Sequence, residues 1–289
     1  MVDVTQTVVR SEDGREARLR ISTGRTDFAI AEVVESEPCN ECDGSGHKLV
    51  ERDQTEFVHP CSCRFAHSAC QRFNSARIPR RLASKTFESF QPDEALAFAL
   101  ARVKSFVECY ETGDGSHGFV LMGPVGTGKS HLLAATLRVL TLEKGVECRY
   151  VEFFHLLSEL KAGYSSGKSE MEIIAPLCAV DVLAVDELGK GRGSDWEMYV
   201  LDEIISRRYN ADKVTLFATN YTDNPHTSLR KRLSTAKGGL VRTRGKEFME
   251  DITAETLEDR VGERIYSRLS EMCDLIPCQG PDFRKSMCS

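Results

Sequence analysis

The sequence has one tryptophan and nine prolines among 289 residues, which excludes a collagen-like or proline-rich chain. It lacks any run of about 18 apolar residues, so no membrane-spanning helix and no membrane partner are expected. The most apolar window, Ile173 to Val185, is interrupted by Asp181. Met1 to Arg15 carries no apolar core of the signal-peptide kind. An excess of positive charge is also missing: 38 Lys+Arg stand against 44 Asp+Glu, for a formal net charge of −6. Bulk charge therefore cannot drive nucleic-acid binding, and any such contact needs a local basic patch. The hydrophobic fraction of 41% and charged fraction of 28% are those of a folded soluble chain, expected to be cytoplasmic and of about two domains.

What is abundant is cysteine. There are eleven, and five of them (Cys39, Cys42, Cys61, Cys63 and Cys70) crowd into residues 39–70. In a reducing compartment such crowding points to metal rather than disulfides. Cys39 and Cys42 form a knuckle followed by Gly44 and Gly46, and Cys61-Ser62-Cys63 returns about eighteen residues later. Two such pairs can close a tetrahedral Zn²⁺ site. The second pair is tighter than the usual two-residue gap, which leaves Cys70, His59 and His67 as alternative ligands. A redox pair is the competing reading, but the C-x-x-C lacks a neighbouring βαβ pattern. A four-thiolate site is structural and lets a small module fold without a large core.

Four regions follow from composition. Residues 1–37 hold short alternating runs that predict two or three strands, with no function assigned. Residues 38–75 form the zinc-binding module. Residues 76–91 read as a linker, with Pro79 breaking any helix. Residues 92–289 begin with a helix over Pro92–Tyr110 and then alternate. Strands are predicted at Phe119–Met122, Cys148–Phe153, Ala179–Val185 and Val214–Thr219, and helices at Ser130–Leu142, Phe154–Ala162 and Trp196–Tyr209. The alternation predicts an α/β domain whose parallel sheet is flanked by helices on both faces.

Between the first strand and its helix lies Gly123-Pro124-Val125-Gly126-Thr127-Gly128-Lys129-Ser130, the G-x-x-x-x-G-K-[ST] phosphate loop. Its glycines let successive backbone N–H groups face one anion, and the helix N-terminus adds its dipole. Lys129 is expected to reach the β- and γ-phosphates of ATP and Ser130 to ligate Mg²⁺. The adjoining His131 is counted with the nucleotide-binding residues. The strand ending in Asp186-Glu187 supplies a second Mg²⁺ ligand in Asp186 and a base for the attacking water in Glu187. A third strand ends at Asn220, placed to orient that water, though a turn-initiating asparagine is the plainer reading.

These motifs, in this order, resemble the AAA+ ATPases of the DnaC/DnaI helicase-loader and IstB group. The shared features are the phosphate loop, Asp186-Glu187-Leu188-Gly189, Ala218-Thr219-Asn220, Ile78-Pro79-Arg80 with Thr86-Phe87 and Phe90, Gly262-Glu263-Arg264 to Arg268, and Asp282-Phe283-Arg284. The resemblance covers about residues 76–284. It implies a P-loop AAA+ domain with Mg-dependent ATPase activity. It also implies Asn220 as the sensor-1 residue, Arg268 as an arginine finger acting in trans within a homo-oligomer, and Arg284 as the sensor-2 arginine. Arg264, one helical turn before Arg268, is the alternative finger. The implied partners are a replicative helicase of the DnaB type and single-stranded DNA. Two other readings stay open: an IstB-type transposition helper acting with a transposase on duplex DNA, and a nucleotide-switched interaction protein.

One departure from the family is the stretch 222–252, a basic insertion in which Arg230, Lys231, Arg232, Lys237, Arg242, Arg244 and Lys246 follow one another with no acid between Arg230 and Glu247. It reads either as a solvated or partner-contacting insertion, or as a loop gripping phosphates of single-stranded DNA. Under the second reading, replacing Arg230, Lys231 and Arg232 by glutamine lowers affinity for a single-stranded oligonucleotide. The slope of log K against log salt falls by roughly 0.7 for each phosphate that is no longer neutralised. Unchanged binding rejects it.

Overall fold

The computed structural model describes residues 5–11, 13–23, 26–42, 45–52, 55–113, 117–191, 193–223 and 255–283. At its centre is a five-stranded sheet made of β6 (Gly118–Met122), β7 (Cys148–Glu152), β8 (Val182–Leu188), β9 (Val214–Thr219) and β10 (Cys273–Pro277), in the order β10-β6-β9-β8-β7. Every pairing is parallel. Side chains alternate between two cores, as a pleated strand requires. Phe119, Leu121, Val182, Ala184, Leu216 and Ala218 face one core. Val120, Met122, Leu183, Val185 and Phe217 face the other. The expected α/β class, with a parallel sheet between helical layers, is what folds.

The second face is covered by α4 (Phe153–Ser165), α5 (Glu170–Ala179), α6 (Asp195–Asn210), α7 (Leu257–Val261) and α8 (Glu263–Met272). The first face carries α2 (Glu94–Cys109), α3 (Lys129–Leu142) and α1 (Phe65–Ala76). Residues 1–37 contain a three-stranded antiparallel sheet: β1 (Thr5–Arg10), β2 (Glu16–Ser22) and β3 (Ile30–Ser36). Strand β2 alternates exposed and buried residues, and its Ala17, Leu19 and Ile21 join Ala69, Phe73 and Ala76 of α1 in one core. Asn74 locks the contact, its amide accepting from Ala31 N (2.7 Å) and donating to Ala31 O (3.1 Å).

Three sequence expectations shift here. The stretch 76–91, read as a linker, is packed: Ile78, Leu82, Ala83, Phe87 and Phe90 are buried. Its apolar residues lack helical or strand period because it lies over α3 as an irregular strap. The end of the 38–75 module, helix α1, belongs to the core that it shares with α3 and the parallel sheet rather than to the cysteine module. The predicted strand 179–185 begins later, at Val182, because a Ser169–Glu172 capping box starts α5, which runs to Ala179. Strand β10 and the hairpin β4 (His47–Arg52)–β5 (Thr55–Pro60) have no counterpart in the sequence reading. Among the described residues no helix is long and apolar enough to cross a membrane.

Arg208, fully buried on α6, ties the sheet to α5. Its guanidinium donates to the carbonyls of Leu177 (2.8 Å), Val180 (2.9 Å), Asp181 (3.1 Å) and Val214 (2.5 Å), and to Thr215 Oγ1 (2.9 Å). Burial among neutral acceptors pushes it down to about 10. An Arg208→Met chain keeps much of the side-chain volume but strands these carbonyls. It is expected to lose about 3 kcal/mol or more, read as a lower urea midpoint at constant m-value; an unchanged midpoint contradicts the clamp.

Candidate functional site

Strands β6, β9 and β8 are neighbours, and their carboxyl ends bring three polar segments to one rim: Gly123–Ser130, Asn220 and Asp186-Glu187. In an open parallel sheet this rim is where ligands bind. Gly123 N donates to Thr219 O (3.3 Å), fastening the loop to the end of β9. Gly123, Gly126 and Gly128 all have positive φ, at 145°, 85° and 88°, which side chains with a Cβ rarely adopt. A Cβ at Gly128 would also strike the Phe90 ring of the strap.

Gly128 caps α3, so the N–H groups of the first helical turn face the loop. Lys129 is buried and curls back to donate to Gly123 O (2.7 Å), Pro124 O (2.6 Å) and, longer, Thr127 Oγ1 (3.4 Å). Thr127 donates in turn to Pro124 O (3.0 Å). Val125 is exposed at the loop tip and Ser130 is half-buried in the first turn. Phe283 N donates to Gly126 O (3.1 Å), so the segment before Arg284 lies on the loop. Arg284 itself, and residues 224–252 of the basic insertion, lie outside the described residues.

His131, expected with the nucleotide-binding residues, faces the strap. Its Nε2 sits 2.7 Å from Thr86 O and 3.3 Å from Ser89 Oγ, and its ring meets Phe90 edge-on at 5.1 Å. Burial pushes its pKa down, the Thr86 carbonyl partly restores it, and nearby Lys85 lowers it again.

Asp186 is buried at the end of β8. Its Oδ2 accepts from Tyr150 Oη (2.5 Å) and its Oδ1 from Glu187 N (2.9 Å). Arg81 of the strap donates to Glu152 (2.5 Å) and stands 3.9 Å from Asp186. Burial, and then the Asp186 charge, hold the Tyr150 phenol protonated well above its usual range. Spacing in the sequence singles out neither Tyr150 nor Arg81. Arg81 adjoins the Ile78-Pro79-Arg80 motif that signals the strap, but the partner of Tyr150 is visible only in the β7–β8 register.

Glu187 has φ of +57°, a left-handed conformation that costs a non-glycine residue on the order of 1–2 kcal/mol. The β8–β9 register slips there, between Val185 and Leu188, so the carboxylate leaves the sheet plane. It pairs with Lys190 at 2.7 Å. Asn220 is exposed just past β9.

Arg264 and Arg268 share one face of α8, as their spacing requires. Arg268 donates to Asp202 (2.7 Å) and Ser206 (2.6 Å) of α6. Arg264 is 3.4 Å from the same carboxylate and 73% exposed.

Away from this rim, the Sγ atoms of Cys39, Cys42, Cys61 and Cys63 lie within 4.8 Å of one another. The closest pairs are Cys39–Cys61 at 3.6 Å and Cys42–Cys63 at 3.4 Å. A tetrahedron of Zn–S bonds of about 2.3 Å has edges of about 3.8 Å, so the donor set fits zinc. Cys70 is buried in the core with α1 instead. Arg15 Nη1 donates to Cys39 (3.1 Å) and Gly46 N to Cys42 (3.3 Å), both of which favour thiolates. Burial raises Cys39, but bonds from Cys61, Cys42 and Arg15 outweigh it and bring the thiol down to about 7. Cys63 is pushed up to about 12 by burial and by the neighbouring sulfurs.

Fold and rim together define a P-loop nucleotide-binding protein with an AAA+-type core. The family model of IstB-like ATP binding proteins matches residues 62–230, more than half of the chain, and the chain belongs to that family. The replicative helicase loader DnaC of Escherichia coli strain K12 is 30% identical over 159 residues, which span 54% of this chain and 64% of that protein. The chain thus spans less than two thirds of the curated relative it matches. The solved structure of the DnaC helicase loader superposes with a TM-score of 0.54 at 26% identity, covering 69% of this chain and 99% of that one. The DnaI structure shares the fold at a TM-score of 0.51 and 23% identity, covering 71% and 93%. Residues 1–61, with the first three cysteines of the cluster, precede the family match.

Purified under thiol-sparing conditions, the chain is expected to carry one zinc ion, which Cys39→Ser and Cys63→Ser each remove. Binding displaces thiol protons, so affinity should fall steadily as pH is lowered, with the Cys63 proton, held tightest, displaced on binding even at neutral pH. Elemental analysis checks both; a metal-free wild type sinks the site.

Proposed function

We propose that this chain is an ATP-dependent loader of a replicative DNA helicase onto single-stranded DNA. The observation that carries the reading is the DnaC similarity, in sequence and in fold, over the core that holds the phosphate loop. Lys129 would exchange its two carbonyl acceptors for phosphate oxygens, and the first-turn N–H groups of α3 would hold the same anion. Ser130 and Asp186 are the candidate Mg²⁺ ligands, with Tyr150 orienting the Asp186 carboxylate. When bound, the ion neutralises charge developing on the transferred phosphoryl group.

Glu187 is the candidate base for water, and its Lys190 ion pair must open for it to take a proton. Asn220, one strand away, would orient that water. Arg268 would serve a neighbouring subunit's nucleotide in a homo-oligomer, with Arg264 the more exposed alternative on the same face. Arg284 would contact the chain's own nucleotide. The cysteine module would contact the DnaB-type helicase. The IstB-like family description favours a second reading, a transposition helper acting with a transposase on duplex DNA.

The test uses purified replicative helicase from the same cells, a closed single-stranded DNA circle, and the full chain. Helicase transfer to the circle is expected with ATP, and Glu187→Gln should trap a ternary complex with hydrolysis reduced at least about 100-fold. Absence of helicase binding in every nucleotide state, alongside ATP-dependent retention on duplex DNA, overturns the loader reading for the transposition one.

A further inference from the structure

A cleft of about 710 Å³ opens between α1, the start of β7 and the end of α5, with Ser68, Gln71, Arg72, Ser75, Glu147 and Arg149 on its walls. It lies at the amino ends of β7 and β8. The phosphate loop and Asp186 lie at the carboxyl ends, a full strand length away. The volume is that of a site for one small molecule.

The lining sets two guanidiniums against one carboxylate. Arg72 donates through Nε to Thr141 O (3.3 Å) and Arg149 through Nη1 to Ser75 O (3.1 Å), both backbone carbonyls. Among the described residues neither guanidinium makes an ion pair, whereas Arg81, Arg207 and Arg268 all do. Arg149 Nε is buried with no hydrogen-bond partner, so nothing inside the protein offsets the desolvation of that end of the guanidinium. Burial, followed by the Arg77 charge, pushes Arg149 down to about 10, against a weaker upward pull from Glu159. Burial also lowers Arg72, opposed by Glu147 and Cys148. Glu147, exposed at the rim, is the one carboxylate on the wall. Two under-compensated guanidiniums beside amide and hydroxyl donors match a tetrahedral oxyanion, which accepts from several directions at once.

We propose that this cleft binds a phosphoryl group, carried by a nucleotide-sized small molecule or by a nucleic-acid strand, with Arg72 and Arg149 as its cationic ligands. The site is separate from the ATP loop and does not rest on the helicase-loader reading.

The test is calorimetry on the full chain carrying Lys129→Ala, which removes the main phosphate ligand of the ATP loop. Inorganic pyrophosphate is the first probe, at low ionic strength. One site is expected, weakened at least tenfold by Arg149→Gln and by Arg72→Gln, and partly retained in Arg149→Lys. Gln71→Glu changes only an exposed side chain and places a negative charge in the cleft; it should abolish uptake with an unchanged melting temperature. This variant decides the matter if the arginine variants misfold. AMP and a ten-nucleotide single strand then distinguish the two sources, since whichever competes with pyrophosphate carries the natural group. No pyrophosphate uptake, uptake equal in Gln71→Glu, or citrate binding more tightly than pyrophosphate overturns the proposal.

Discussion

Strands β6, β9 and β8 are buried on both faces, and that burial dictates where chemistry can occur in this protein. A polar side chain along such a strand needs a partner inside the core, as Thr215 has in Arg208. Elsewhere polar groups can appear only where the strands leave the sheet. All three do so at one rim, because the strands are parallel. The glycine loop, the Asp186-Glu187 pair and Asn220 therefore converge from sequence positions nearly a hundred residues apart. The same burial means that the Asp186 carboxylate is met from within the protein, by a phenol, a backbone N–H and a more distant guanidinium.

The strap 76–91 couples this rim to the amino-terminal half. His131 holds it to α3 through Thr86, Phe90 packs against Gly128, and Arg81 reaches Glu152 and the neighbourhood of Asp186. On its other side the strap joins the chain before β3, through Ala29 N to Ile78 O and Arg80 N to Asp27 O. The cysteine cluster sits immediately before α1, which packs on both the amino-terminal sheet and α3. A continuous path of packed elements thus joins the thiolates to the phosphate loop.

The cations divide into classes by what they face. Arg208 is satisfied by carbonyls and serves packing. Lys190 is tied to the Glu187 carboxylate at the rim, and Arg268 to the Asp202 carboxylate on α6, so each is already charge-paired. Arg72 and Arg149 carry their charge with little compensation, in a cleft at the far end of the sheet. Net charge conceals this: a chain with an acidic balance can still gather under-compensated positive charge locally.

The phosphate loop, the buried strands with their terminal acids, and the four thiols were legible in the sequence, because each depends on local spacing. A loop that must curl around an anion needs glycine at fixed steps, and a strand buried on both faces must be apolar until it ends. Long-range packing decided the rest. The strap has no period, so nothing local marks it as core, and its burial follows from the surface that α3 presents. The spacing of Cys61 and Cys63 left Cys70, His59 and His67 open as ligands; the fold chose the four cysteines by carrying Cys70 into α1 and away from the other sulfurs. The Tyr150–Asp186 bond, the Asp202 partner of Arg268, and the presence of Arg72 and Arg149 on one cleft wall bring together residues distant in sequence, through strand register and helix packing.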